Sequence, residues 1–232
     1  MKIMYNVIEH NNCRFHAKAV LILEYCAIIG DIVNSRKLNN RPEVQSKLVH
    51  VIENSVNENY RRYIASNFTV TLGDEFQGLL YKEFTYLSYE IIRFIKKQLA
   101  PINLVFGVGV GAMIIEPKHE ISIGSDGPAY YNARNAVSEA KNKKPSIYYY
   151  TGSEEDELVN SMIHLIEGIE KKMTHKQQEV IKLYKSSGSQ SKTAEKLDIM
   201  QSTVSRMLNN SGYYRITDAE AAISSYFKKK YK

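Results

Sequence analysis

Two patterns of apolar residues follow one another along this chain, and the change between them divides it. From residue 23 to about 150, strand-like and helix-like runs alternate; from Thr174 onward every apolar period is helical. The first run, Tyr25-Cys26-Ala27-Ile28-Ile29-Gly30-Asp31, is long and unbroken enough to read as a buried strand. After Pro42, Val44, Leu48, Ile52 and Val56 recur on one helical face. Phe68, Val70 and Leu72 alternate with Thr69 and Thr71, and Gly73-Asp74 turns the chain into 76–80. This predicts a β-hairpin with Asp74 at its tip. A helix over 84–99, striped by Leu87, Ile91 and Ile95, ends at Pro101.

A strand over 104–115 carries Gly107, Gly109 and Gly111 at alternate positions, which strips one of its faces. Such a face serves either a crowded packing contact or the approach of a ligand. A helix over 129–141 and a strand over 146–150 follow. The order β-α-β-β-α-β with additions predicts an α+β fold built on a ferredoxin-like palm. Residues 151–157 read as an acidic linker or helix start, where the strand signals stop. The expected division is an N-terminal extension over 1–20, a palm over 21–152 and a small all-α domain over 153–232.

Within that last segment, Thr174-His175-Lys176-Gln177 is a capping box, and Gly188 closes the helix it opens. Residues 190–208 then have the layout of a helix-turn-helix. Ala194 is the small residue between the helices, Leu197 and Ile199 anchor the turn, and Asp198 stands where a left-handed conformation is needed. Val204, Met207 and Leu208 form the inner face of the second helix. Gln201, Ser202, Thr203, Ser205 and Arg206 are left to project as hydrogen bonders suited to base edges and phosphates, with Lys192 and Lys196 nearer the backbone.

Charge supports this division. The net charge is +6, yet residues 1–157 hold 18 basic and 18 acidic residues, whereas 158–232 hold 13 basic and 7 acidic. The whole excess sits with the helical segment, as expected of a module that faces double-stranded DNA. Two cysteines in 232 residues imply no disulfide framework and suit a reducing cytoplasm. Lys18 and Glu24 interrupt the apolar stretch 17–29, so neither a signal-peptide core nor a membrane span is expected there. Six histidines show no zinc spacing, and the chain lacks a G-x-S-x-G elbow and a P-loop.

The chemistry that remains is carried by two Gly-Asp pairs, Gly30-Asp31 and Gly73-Asp74, each at the end of an apolar run. Two carboxylates delivered by neighbouring strands suit a divalent cation, Mg2+ or Mn2+, with bound phosphates. The palm segment resembles the class III nucleotidyl cyclase fold, and Leu72-Gly73-Asp74-Glu75-Phe76 also resembles the hairpin signature of diguanylate cyclases. That resemblance implies metal binding by Asp31 and Asp74, with the Ile32 carbonyl as a further ligand. Together with Gly127-Pro128-Ala129-Tyr130-Tyr131-Asn132-Ala133-Arg134 and the helix-turn-helix, these motifs are similar to the SatD family over nearly everything after residue 22.

One departure bears on activity. Cyclases place an Arg four residues after the Asn of their nucleotide-binding helix, whereas Arg134 follows Asn132 by two, so the pair cannot share a helix face. Asn132, Arg134 and Arg36 remain candidate nucleotide or phosphate contacts. The expected function is a cytoplasmic, homodimeric DNA-binding regulator whose palm binds a nucleotide or nucleotide-derived ligand through the metal. The alternative is an active Mg-dependent nucleotidyl cyclase or nucleotidyltransferase with an accessory helix-turn-helix. If both Gly-Asp pairs are plain turns, the palm is a dimerisation scaffold.

Overall fold

A computed structural model describes residues 23–35, 40–71, 73–143 and 146–232; the expected N-terminal extension and Arg36 lie outside them. Strand β1 (Glu24–Ile32) is the middle of a five-stranded sheet of order β2-β3-β1-β4-β5. The others are β2 (Ile64–Val70), β3 (Glu75–Tyr81), β4 (Leu104–Ala112) and β5 (Ile147–Tyr150). β1 runs antiparallel to both neighbours, β2 pairs antiparallel with β3, and β5 joins β4 in parallel. Without β5, each helical crossover returns with one strand left between its ends, which is the ferredoxin-like arrangement. The fold is α+β.

Residues 41–60 form the first crossover: α1 (Arg41–Val49), a π-helical stretch (His50–Val56) and α2 (Asn57–Tyr60). A 3-10 turn (Lys82–Leu87) leads into α3 (Ser88–Leu99), and α4 (Pro128–Lys143) precedes β5. Then come α5 (Asp156–Lys171), α6 (His175–Ser187), α7 (Gln190–Leu197), α8 (Gln201–Asn210) and α9 (Tyr213–Lys230). No helix among the described residues is long and apolar enough to cross a membrane.

Because β1 is central, both of its faces are buried. Cys26, Ile28 and Ile32 join one core with Leu48, Ile52, Ile91 and Ile95 of the first two crossovers. Tyr25, Ala27 and Ile29 face the other way, onto Ala129, Ala133, Val137 and Ala140 of α4. There the alternate glycines of β4 find their reason. A Cβ on Gly107 would lie 2.1 Å from the Ala133 carbonyl oxygen, and one on Gly109 would lie 2.2 Å from the Ala133 nitrogen. The stripped face therefore receives the backbone of α4, and the ligand alternative for it falls away.

The helical last third does not stand apart from the palm. Ile163 and Ile166 of α5 and Ile216, Ile223 and Phe227 of α9 belong to the same core as β1 and α3. Phe227 stacks on Tyr149 of β5 at 5.0 Å. Arg93 of α3 forks onto Glu170 of α5, with one bond of 2.7 Å, and reaches Glu220 of α9 at 3.5 Å. The acidic stretch after β5 is pinned rather than free. Thr151 donates its N–H and hydroxyl to the Asp156 carboxylate, each at 2.6 Å, and Lys230 pairs with Glu155 at 3.1 Å. The core thus runs across residue 152. α6, α7 and α8 form a smaller core of their own around Val180, Ala194, Val204 and Leu208, with Tyr213 at the start of α9 packed against it.

Two strand limits differ from the periodicity. β2 begins at Ile64, because register shifts around Ser66 put Ile64, Ala65 and Ser66 all inside and so hide the alternation. β4 stops at Ala112, where the N–H groups of Ile114 and Ile115 turn to the Asp126 carbonyl instead. The loop that follows covers the outer edge of β2: the Ser66 hydroxyl donates to the Lys118 carbonyl, and the Asn67 N–H to that of His119.

Candidate functional site

Asp31, the penultimate residue of β1, lies directly opposite Glu75, the first residue of β3. The side chain of Asp31 is 18% exposed and is ion-paired to Lys141 of α4. One strand away the arrangement repeats, since Arg134 of α4 lies 3.4 Å from Glu75 and 3.5 Å from the Gln77 side-chain oxygen. Gln77 is held in turn, its amide donating to the Ser122 carbonyl at 3.0 Å while the Ser122 hydroxyl donates back to the Gln77 carbonyl at 3.0 Å. Two acids at the strand ends thus meet two bases set seven residues apart on α4, a spacing that keeps them on one helix face.

The sequence-predicted residues are placed as follows. Asp74 lies in the β2–β3 turn after Gly73, whose φ of +78° suits glycine. Asp74 and Ile32 border a recess of about 10 Å³ with Arg41 and Gln45, no larger than one water. Asp31 borders a different cleft of about 770 Å³, reached from Ile32, Asn103, Lys141, Lys171 and Gln178. The two aspartates are neighbours along the sheet but serve different recesses. Asn132 donates to the Val110 carbonyl at 2.8 Å, so it fastens α4 to β4. Arg134 faces a second cleft of about 660 Å³ with Glu75, Ser125, Asp126 and Tyr131. At its wall, burial pushes the Tyr130 phenol above its ordinary value.

Two carboxylates and a carbonyl are hard oxygen donors of the kind Mg2+ takes. The Lys141 ammonium already pairs with the Asp31 carboxylate, so a cation there would compete with it. Among the described residues, no group of three or more His, Cys, Asp or Glu could hold a metal. Lys141, Glu75 and Gln77 were missed from sequence. The seven-residue interval between Arg134 and Lys141, on a helix aimed at two acidic strand ends, was the available signal.

In the helical segment, Thr174 and Gln177 form the capping box and Gly188 is left-handed. Asp198, at φ 52° and ψ 49°, closes α7 in the left-handed conformation read for it, and Ile199 N–H returns to the Ala194 carbonyl at 3.1 Å. Val204 and Leu208 point inward. Gln201, Ser202 and Arg206 are exposed, Thr203 and Ser205 half-buried, and Lys192 and Lys196 exposed on α7. Gln201 bonds to Gln190 across the two helices.

Together these features define a protein with a ferredoxin-like palm, charge-paired strand ends and a compact three-helix unit held between α5 and α9. The chain belongs to the SatD family, whose model matches residues 25–222. No curated protein matches it. Among solved structures, a bacterial light-regulated adenylyl cyclase is similar at 16% identity over 56% of this chain and 77% of that one, with a TM-score of 0.43. An EAL/GGDEF domain protein from M. capsulatus is similar at 17% identity over 56% and 86%, with a TM-score of 0.40. A regulator of polyketide synthase expression from Bifidobacterium adolescentis covers 91% of this chain and 86% of its own at 11% identity, with a TM-score of 0.27. Similarity at this level says nothing of activity.

Proposed function

We propose that this protein is a DNA-binding regulator in which the palm senses a phosphorylated nucleotide with Mg2+ or Mn2+, and α7 and α8 form a helix-turn-helix. The observation that carries the reading is the mounting of the three-helix unit. α6, α7 and α8 turn a polar face outward, while the helices on either side of them are built into the palm core. A ligand that moves the strand ends would therefore reach the reading surface through packed side chains rather than through a linker. Asp31 and Asp74, with the Ile32 carbonyl, are the proposed metal ligands, which requires the turn that carries Asp74 to close toward Asp31 and join the two recesses; Arg134 and Arg36 are the proposed phosphate contacts. Bound metal would supply charge neutralisation for the phosphates. Lys141 would release Asp31 as it binds. Sensing is favoured over turnover because Asn132 is committed to the Val110 carbonyl.

Gel shifts on genomic duplexes at graded salt, with and without a nucleoside triphosphate and Mg2+, test both halves. Arg206→Ala should cost specific binding about 1–3 kcal/mol, and Lys192→Ala or Lys196→Ala should weaken all duplexes alike. Asp31→Asn should abolish the nucleotide effect and leave binding without nucleotide unchanged. Absence of affinity for any duplex at low salt overturns the DNA reading. Turnover of the nucleotide, lost in Asp74→Asn, replaces the sensor with an enzyme.

A further inference from the structure

α5 buries Val159, Ile163 and Ile166 in the palm core and turns its opposite side to solvent. That outer side carries two large apolar residues among polar ones such as Glu157, Ser161 and His164. Leu158 and Leu165 lie on it, 65% and 68% exposed, seven residues apart and so on one stripe of the helix. In alternating steps of three and four, the stripe reads Leu158, Ser161, Leu165 and Gly168 within α5, the spacing of a coiled-coil seam, with Glu154 in the turn just before the helix and Lys172 at its C-terminal cap. A Cβ added at Gly168 would meet nothing within 4 Å. Glycine inside a helix costs about 0.5–1 kcal/mol against alanine, and no packing contact among the described residues requires it.

We propose that this stripe is the seam of a homodimer, with α5 lying antiparallel against α5 of a second copy across a two-fold axis. The order of the residues selects that occupant. Turned end for end, the stripe sets Leu158 opposite the partner's Gly168, Leu165 opposite the partner's Ser161, and Glu154 opposite the partner's Lys172. Every large side chain meets a small one and every acid a base, and the symmetry repeats each match. A parallel pairing instead stacks Leu on Leu and brings like charges together at both ends. The 16 residues of α5 give the seam at most about 24 Å at 1.5 Å per residue, and glycine and serine let the backbones approach closely along it. The two α6–α8 units then leave from opposite ends of the seam.

Sedimentation equilibrium of the full chain, without nucleotide or DNA, tests this independently of the regulatory reading. The parent should be a dimer at micromolar concentration. Leu165→Lys should sediment as a monomer with the parent's helical circular dichroism, since the side chain is largely outside the fold. Glu154→Lys should weaken association about tenfold through two lost pairs and the repulsion that replaces them, and adding Lys172→Glu should restore it. A monomeric parent, or a dimer that survives Leu165→Lys, overturns the seam. A double variant no stronger than Glu154→Lys alone overturns its antiparallel register.

Discussion

The two faces of the sheet solve different problems with the same strands. On one, bulky Ile, Leu and Phe side chains from α1, α3, α5 and α9 interlock with β1 and β3. On the other, the glycines of β4 and the alanines of α4 bring two backbones together with almost no side chain between them. An interlocked face tolerates adjustment, because rotamers can shift. A backbone contact cannot adjust in that way. The two bases that meet the acidic strand ends, Arg134 and Lys141, ride on the helix held by that contact. Two of the helices on the first face, α5 and α9, carry the C-terminal unit.

The sharpest way to break this contrast is Gly109→Val. Its Cβ would press on the Ala133 nitrogen at 2.2 Å and the Ala129 carbonyl at 2.5 Å, both backbone atoms. Loss of folded protein is expected, a cost above about 4 kcal/mol, read from soluble yield and thermal unfolding. A Gly109→Val variant as stable as the parent would mean that α4 is not held by backbone proximity. Phe227→Ala, on the opposite face, should cost about 3–5 kcal/mol in denaturant unfolding and leave a folded chain, since its neighbours can close in part.

The smallest effect concerns the clamp between the start of α5 and the end of α9. The Ser153 hydroxyl, followed by the Lys230 ammonium, holds the Glu155 carboxyl down at about 2, against an ordinary value of 4.5. A carboxyl lowered on folding contributes stability above the ordinary value and loses it as the pH falls toward the lowered one. Between pH 4.5 and 2, the parent should therefore lose more thermal stability than Glu155→Gln. Equal acid limbs in the two proteins would show that the clamp contributes nothing measurable.

Much of the palm was legible because strand and helix periods differ and because Gly-Asp and Pro punctuate them. The β-hairpin at Asp74, the capping box at Thr174 and the left-handed Asp198 each rest on local chemistry within a few residues. What local pattern does not carry is partnership. Gly107, Gly109 and Gly111 read equally as ligand space until α4 is laid on them. Asp31 looks like an open metal ligand until Lys141, 110 positions later, is seen beside it. The apolar positions of α9 report only that the helix has a buried side, not that this side belongs to the palm.

The mounting of α6, α7 and α8 has a topological consequence. The chain enters the unit from a helix rooted in the palm and leaves it into another, so the unit is an insertion and not an appendage. One cut of the backbone between α5 and α6 would leave it attached through α9, and two cuts are needed to set it free. Genetic truncation meets the same geometry from the other side. Removing the last helix to isolate the palm strips Phe227 from Tyr149, so neither half can be taken away without opening the other.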